Sequence, residues 1–339
     1  MTKKTGVLLV NLGTPDAPDR KSVYKYLKEF LLDKRVLDIP WLQRNLLVRL
    51  LIAPFRSKPS SKLYQKLWTN EGSPLKVNGY KLVKGIRELL GENYTVELAM
   101  RYQTPTIKSG LATLRSKAVD EIIVFPLFPH YASASTGSVH EEVMKEISTW
   151  QVIPELKLIN SYYDLEGMIK VFADNARKYD LTSYDHFLFS YHGLPQRQMI
   201  KANDFNHCHC NIECCQKITN ENKFCYSAQC YATTKALVVN LGLKEWQYTT
   251  CFQSRLGRDP WIKPYTSDVL LERTKKGDKS LLVFCPAFVS DCLETTVEVE
   301  DEYRNDFIHL GGEKLDLVES LNDNPEWIKV VAEFIKQQN

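Results

Sequence analysis

Residues 122–128 read Ile-Ile-Val-Phe-Pro-Leu-Phe, and residues 281–288 read Leu-Leu-Val-Phe-Cys-Pro-Ala-Phe. Each is a run of branched and aromatic residues that breaks at a proline and leads into a stretch rich in Glu. Apolar runs of this length bounded by turn residues predict strands of a parallel sheet. Working outward from the first motif, similar runs occur at about 6–11, 95–101, 120–126 and 156–160, and from the second at about 186–191, 246–252, 281–286 and 314–318. Helical patterns separate them. Two sets of four strands predict an α/β fold made of two similar halves, each a four-stranded parallel sheet flanked by helices, with the halves at 1–165 and 166–339. Ligands of open parallel sheets bind beyond the carboxyl ends of the strands, so the loops after 11, 101, 128, 191, 252 and 288 are where chemistry belongs.

The totals narrow the function classes. The 339 residues are 44% hydrophobic and 25% charged, enough to bury one large or two ordinary cores. Forty-four Lys and Arg against 41 Asp and Glu leave a net charge of +3, too little for nucleic acid as the main partner. The N-terminal apolar run Val7–Val10 is far shorter than that of an export signal, and no run reaches the roughly 20 residues that cross a bilayer. A soluble, cytoplasmic protein is expected. One amphipathic stretch at about 40–58 sets Trp41, Leu42, Leu46, Leu50 and Leu51 among Arg44, Arg49, Arg56 and Lys58. It reads either as a helix packed on its own core or as an exposed apolar lip for a flat ligand or the inner face of the cell membrane.

Three strand ends carry candidate chemistry. Ser190-Tyr191-His192-Gly193-Leu194-Pro195 puts an imidazole at an abrupt turn, where it could take protons or ligate a divalent metal. A satisfied structural histidine is the rival reading. Asp291-Cys292-Leu293-Glu294 opens a helix on which Glu294, Glu298 and Glu302 recur every four residues and share a face. Like charges at that spacing repel, so the row, with Asp291 at its head, either faces solvent or provides an acidic path for a hydrated dication. Arg101-Tyr102 ends the second strand, placing a guanidinium and a phenol where they could meet a carboxylate-bearing aromatic ligand or pair structurally. Asn11-Leu12-Gly13-Thr14-Pro15 lacks the spaced glycines of nucleotide-binding loops.

Taken in order, Asn-Leu-Gly-Thr-Pro (11–15), Phe-Pro-Leu-Phe-Pro-His-Tyr (125–131), Ser-Tyr-His-Gly (190–193), Phe-Gln-Ser-Arg-Leu-Gly (252–257) and Asp-Cys-Leu-Glu-Thr (291–295) resemble the motifs of ferrochelatases. The resemblance covers nearly the whole chain apart from a cysteine-rich segment. It implies the chelatase-type fold, two Rossmann-like domains with a porphyrin cleft between them, and insertion of Fe2+ into a porphyrin. It implies His192 and Glu294 as catalytic and iron-binding residues, with Glu298, Glu302 and Asp291 as an acidic path. It further implies Arg101, Tyr102 and Leu12 as porphyrin contacts, with Ser135, Thr136, Ser254 and Arg255 in neighbouring turns. Animal members carry a histidine where this chain has Cys292, a change typical of bacterial relatives. Leu12, where the coproporphyrin-using branch has tyrosine, and the basic apolar lip point to protoporphyrin IX as the expected substrate, with coproporphyrin III as the alternative. Rival readings are a chelatase for cobalt or nickel and a non-catalytic porphyrin carrier or redox sensor, for which a base and an acidic row would have no use.

Six of the nine cysteines, Cys208, Cys210, Cys214, Cys215, Cys225 and Cys230, crowd one segment at about 203–230 together with His207 and His209. This part of the chain is longer than the plain bacterial pattern. Without an export signal, clustered thiols indicate metal rather than disulfides. Some ferrochelatases carry a [2Fe-2S] cluster, and by that resemblance four of these thiols would hold one: one of the adjacent pair Cys214 and Cys215, with Cys225, Cys230 and one of Cys208 or Cys210. Zinc is the alternative occupant.

Overall fold

The structure is a computed structural model that describes residues 3–203, 208, 210, 213–257 and 259–338. Two four-stranded sheets form, both wholly parallel. In the first, β1 (Thr5–Gly13), β2 (Tyr94–Tyr102), β3 (Glu121–Pro126) and β4 (Glu155–Leu158) lie in the order β2-β1-β3-β4. In the second, β5 (His186–His192), β6 (Tyr248–Gln253), β7 (Ser280–Phe284) and β8 (Lys314–Leu317) lie in the order β6-β5-β7-β8. The same order occurs twice, as two halves of one plan require. All eight expected strands are present. β6 starts later than its apolar run because Glu245–Gln247 make one 3₁₀ turn, and β7 stops at Phe284, before Cys285-Pro286, since proline cannot extend the ladder.

Central strands are apolar throughout because helices cover both faces. Val7 to Val10 are fully buried, with Val7 beside Val96 on one side and Ile123 on the other. Leu8, Val10, Ile122 and Val124 pack with Ile107, Leu111 and Val143 of the covering helices, and Leu188, Leu281 and Val283 form the corresponding core of the second sheet with Val269, Val299 and Phe307. Each such side chain contributes about 1.5–3 kcal/mol by leaving water.

The chain divides into two compact units. The first takes in residues up to Phe128, Ser133–Ser161 and the stretch from Asn322, and the second takes in Pro129–Ala132 and Tyr162–Leu321. A linear division at 165/166 therefore misplaces the last helix, Pro325–Gln337. Its buried stripe of Val331, Ala332 and Ile335 belongs to the first unit, where Phe334 meets Phe125 edge-on at 5.5 Å and Lys336 donates to the Leu89 carbonyl at 3.2 Å. Amphipathicity shows that such a helix needs a partner; it does not say which sheet supplies one.

The stretch at 40–58 is helical, with Trp41–Leu46 running through a π-helical turn at Leu47–Ile52 into Ala53–Leu67. Trp41, Leu42, Leu46, Leu50, Leu51 and Phe55 face outward, from Leu46 at 52% to Phe55 at 73% exposed, while Val48 and Ala53 are fully buried. One face of the stretch packs on the core and the other is an exposed apolar lip. Arg44 departs from the expected basic edge, being buried and donating to the carbonyls of Leu37 and Ile39, so Arg49, Arg56 and Lys58 are the exposed cations. No helix among the described residues is long and apolar enough to cross a membrane.

Candidate active site

His192 is the last residue of β5, paired with Gln253 at the end of β6. The strand must turn at once, and Gly193 permits it: a Cβ there would lie 2.9 Å from the Gln253 carbonyl and 3.1 Å from the Trp261 ring. The Gly193 amide donates to the same carbonyl at 2.8 Å. The half-buried imidazole has Trp261 and Phe288 as ring neighbours at 6.3 and 6.4 Å. Its Nδ1 lies 2.7 Å from the Gly193 carbonyl, which can only accept, so Nδ1 carries the proton and Nε2 the lone pair. That is the tautomer a proton acceptor needs.

Glu294 lies in the first turn of an 11-residue π-helix, Leu293–Tyr303, rather than an α-helix. π-Helices are rare and concentrate at functional sites. Cys292 caps it: its amide donates to Thr295 Oγ1 at 3.0 Å, and its thiol accepts from the Thr295 amide. Burial, together with the adjacent Glu294 carboxylate to which it donates, pushes the Cys292 thiol well above its ordinary range. Glu294 is half-buried, and its carbonyl accepts from Gln253 Nε2 at 2.8 Å. Gln253 is thus joined to His192 by strand pairing and to Glu294 by its side chain.

The glutamate row is not uniform. Glu298 accepts from the Ser254 amide (2.8 Å), Ser254 Oγ (2.5 Å), Gln253 Nε2 (3.1 Å) and Tyr303 OH (3.0 Å). Four neutral donors meet this carboxylate. These bonds hold Ser254 at φ +65°, a left-handed conformation that costs a non-glycine residue about 1–2 kcal/mol. Arg255 lies 4.7 Å over the Tyr265 ring. Glu302 is exposed, and Asp291 accepts from Thr295 Oγ1 at 3.3 Å. Sequence spacing alone did not distinguish these environments.

In the first unit, Arg101 and Tyr102 turn inward. Arg101 Nη2 pairs with Asp33 Oδ2 at 2.8 Å and Nε donates to Ser138 Oγ at 2.7 Å, while Tyr102 OH and Ser138 Oγ donate to the same Asp33 oxygen at 2.9 and 2.5 Å. Tyr102 is 1% exposed, and burial with Asp33 beside it raises its phenol far above the usual range. The structure thus favours structural pairing over an open porphyrin contact for Tyr102. Asp33, the centre of this network, was invisible to sequence reading because it lies 68 residues from Arg101. Leu12 is half-buried at the end of β1, Ser135 is half-buried, and Thr136 is fully buried in a short π-helix, Ser133–Gly137.

In the cysteine segment, the Cys208 and Cys210 sulfurs lie 3.6 Å apart and those of Cys214 and Cys215 lie 3.8 Å apart. Cys225 caps the helix Tyr226–Leu241; the Cys215 thiol and the amides of Ala228 and Ser227 donate to it, bringing it down to about 7. Cys215 is correspondingly pushed up. Burial and the neighbouring Cys208 raise Cys210 to about 12. Asn222 clips the loop together, donating to the carbonyls of Cys214 and Lys217 at 2.9 Å each. Cys230 stands apart, fully buried in the helix, with its thiol beside Tyr226. His207 and His209 lie outside the described residues. Among the described residues no three His, Cys, Asp or Glu side chains form a group able to hold a single metal ion.

Comparison with known proteins agrees with this layout. The fold resembles that of SirB from Bacillus subtilis with Fe3+, with a TM-score of 0.56 at 12% identity over 98% of this chain and 95% of that one. The sirohydrochlorin chelatase SirB in complex with cobalt gives a TM-score of 0.53, also at 12% identity, over 98% and 94%. In sequence, the chain is 43% identical to a ferrochelatase of Legionella pneumophila (strain Lens) over 99% of both chains, and 41% identical to one of Coxiella burnetii over 98% of this chain and 94% of the other. The ferrochelatase family model matches residues 4–339. With five motifs in family order, two equivalent sheets of chelatase type and near-complete coverage by curated relatives, the chain belongs to the ferrochelatase family.

Proposed function

We propose that this chain inserts Fe2+ into protoporphyrin IX to form protohaem, the last step of haem synthesis. The observation that carries the reading is the fixed tautomer of His192, with Nδ1 bonded to the Gly193 carbonyl and Nε2 presenting its lone pair at the strand end. Insertion replaces two pyrrole N–H bonds with bonds to iron, so two protons leave as the dication enters. His192 Nε2 takes the two protons in turn, passing the first to water before accepting the second, and the Glu294 carboxylate supplies the counter-charge for Fe2+. Leu12 and Arg101 are the first unit's proposed contacts to the porphyrin. Leu12 and the exposed apolar lip fit the more apolar protoporphyrin better than coproporphyrin III. The lip, with Arg49, Arg56 and Lys58, also fits a peripheral contact with an anionic membrane surface from the cytoplasmic side.

The cysteine segment fits a resident metal group. Thiolates about 2.3 Å from one metal in a tetrahedron lie about 3.8 Å apart, close to the 3.6 Å between the Cys208 and Cys210 sulfurs. Cys208, Cys210, Cys225 and one of Cys214 and Cys215 are the proposed ligands of a [2Fe-2S] cluster, with zinc as the second reading; Cys230, turned into the core, is left out. The group would contribute structure rather than electrons, since insertion changes no oxidation state.

His192→Ala and Glu294→Gln should each lower kcat for haem formation by about 10³-fold or more while porphyrin still binds. The check is anaerobic turnover with protoporphyrin IX and, in parallel, coproporphyrin III, with porphyrin fluorescence quenching for affinity. Turnover at the parental rate by either variant refutes the assignment. The visible spectrum of anaerobically purified protein separates a cluster, which is coloured, from zinc.

A further inference from the structure

The cysteine segment touches the His192 turn at both ends. At one end, Cys225 is followed directly by Tyr226, whose hydroxyl donates to the His192 carbonyl at 2.8 Å. Tyr226 is fixed in turn: it is 6% exposed, packs edge-on against His130 at 5.9 Å and opens a 16-residue helix whose cap is Cys225. At the other end, Cys210 Sγ lies 3.8 Å from the carbonyl of Gln196, four residues beyond His192. Asn222 ties Cys225 to Cys214, accepting the Cys225 amide on its carbonyl at 2.7 Å and reaching the Cys214 carbonyl through its side chain at 2.9 Å. Between the two grips lie only Gly193, Leu194 and Pro195, and it is the Gly193 carbonyl that orients the imidazole.

We infer that Tyr226 is a positioning residue for His192, through which the cysteine segment sets the orientation of the imidazole. A shift of Cys225 moves Tyr226 with it, because the two are adjacent at a helix terminus. The shift reaches the His192 carbonyl through one hydrogen bond. Gathering of the thiols around a metal and release of that metal are therefore felt one residue from the Nδ1 anchor. This inference rests on the reading of His192 as the base.

The test uses the full chain, purified anaerobically with its metal content measured. Tyr226→Phe removes one hydroxyl and nothing else. It should retain the metal and bind protoporphyrin within twofold of the parent, with unchanged KM, while kcat falls about five- to tenfold, the worth of one partly buried hydrogen bond. In protein labelled with 15N-histidine, stripping the metal with a chelator should move the His192 ring resonances in the parent, and that movement should shrink in Tyr226→Phe. Parental kcat in Tyr226→Phe overturns the inference, as do His192 resonances that ignore the metal. An equal loss of porphyrin affinity shows a merely structural role and also overturns it. If Tyr226→Phe does not fold, the parent protein decides alone: its His192 ring resonances must move when the metal is stripped, and resonances that stay in place overturn the inference. Failure of the underlying reading looks different: His192→Ala would then turn over normally, whatever Tyr226→Phe did.

Discussion

The two central strands end alike and do different work. β1 runs out through Leu12-Gly13-Thr14-Pro15 and β5 through His192-Gly193-Leu194-Pro195. In each, a glycine sits where a Cβ would strike a neighbouring carbonyl: Tyr102 at 2.1 Å from Gly13, and Gln253 at 2.9 Å from Gly193. In each, the third strand of the half leads to a π-helix. What differs is the polar chemistry placed on this frame. The first half offers Leu12, a five-residue π-helix without charge, and an acid, Asp33, already neutralised by Arg101, Tyr102 and Ser138. The second offers His192 and an 11-residue π-helix with Glu294 at its mouth. The repeated scaffold has the same backbone devices in both halves but the proposed reactive groups in one, which is why function has to be argued from the site and not from the fold.

That contrast can be broken experimentally. The largest effect is expected in the closed half. Asp33→Ala strands the mostly buried Arg101 guanidinium and should lower unfolding free energy by about 3–5 kcal/mol, read from urea midpoints. If stability is untouched, the network is not what closes this half. The next concerns the open half. Glu298→Gln replaces an acceptor of four hydrogen bonds with an amide and should cost about 2–3 kcal/mol, lowering kcat together with stability because Ser254 and Gln253 lose their anchor. Loss of iron saturation with unchanged stability would instead restore Glu298 to an ion path.

The smallest effect concerns a buried histidine. His130, buried between Tyr191 and Tyr226 with Thr233 Oγ1 at 2.8 Å, is lowered by burial to about 3. Its folded value lies below the unfolded one of about 6.5, so the unfolded chain binds the extra proton between these limits, and stability falls as pH drops below about 6.5. At pH 5 the loss should be about 2 kcal/mol, seen as a lower melting temperature that His130→Asn flattens. If the melting temperature shows no such dependence on pH, the ring is not held neutral.

Much of this was legible in the sequence because the strands are uninterrupted apolar runs, a pattern that only burial on both faces explains. His192 and Glu294 were legible because a strand end and a helix start are local events. What sets Glu298 apart from Glu294 and Glu302 was not legible, since the donors that distinguish it, Ser254 and Gln253, come from the end of β6. Asp33 and Tyr226 were missed for the same reason: each acts on a residue far away in the chain, and neither residue type is unusual for its surroundings. Gln253 lay within a quoted motif, so a side chain buried beside two candidate residues could have been suspected there.

The place of the last helix bears on how the protein is made. Residues 325–337 complete the first unit, not the second. During synthesis the first sheet leaves the ribosome earliest, yet the surface that Phe334 and Ile335 cover stays open until nearly the whole chain has been translated, while every strand of the second unit is already available. The unit whose strands emerge first is completed by a helix that emerges after every strand of the second unit, and its apolar face is uncovered until then.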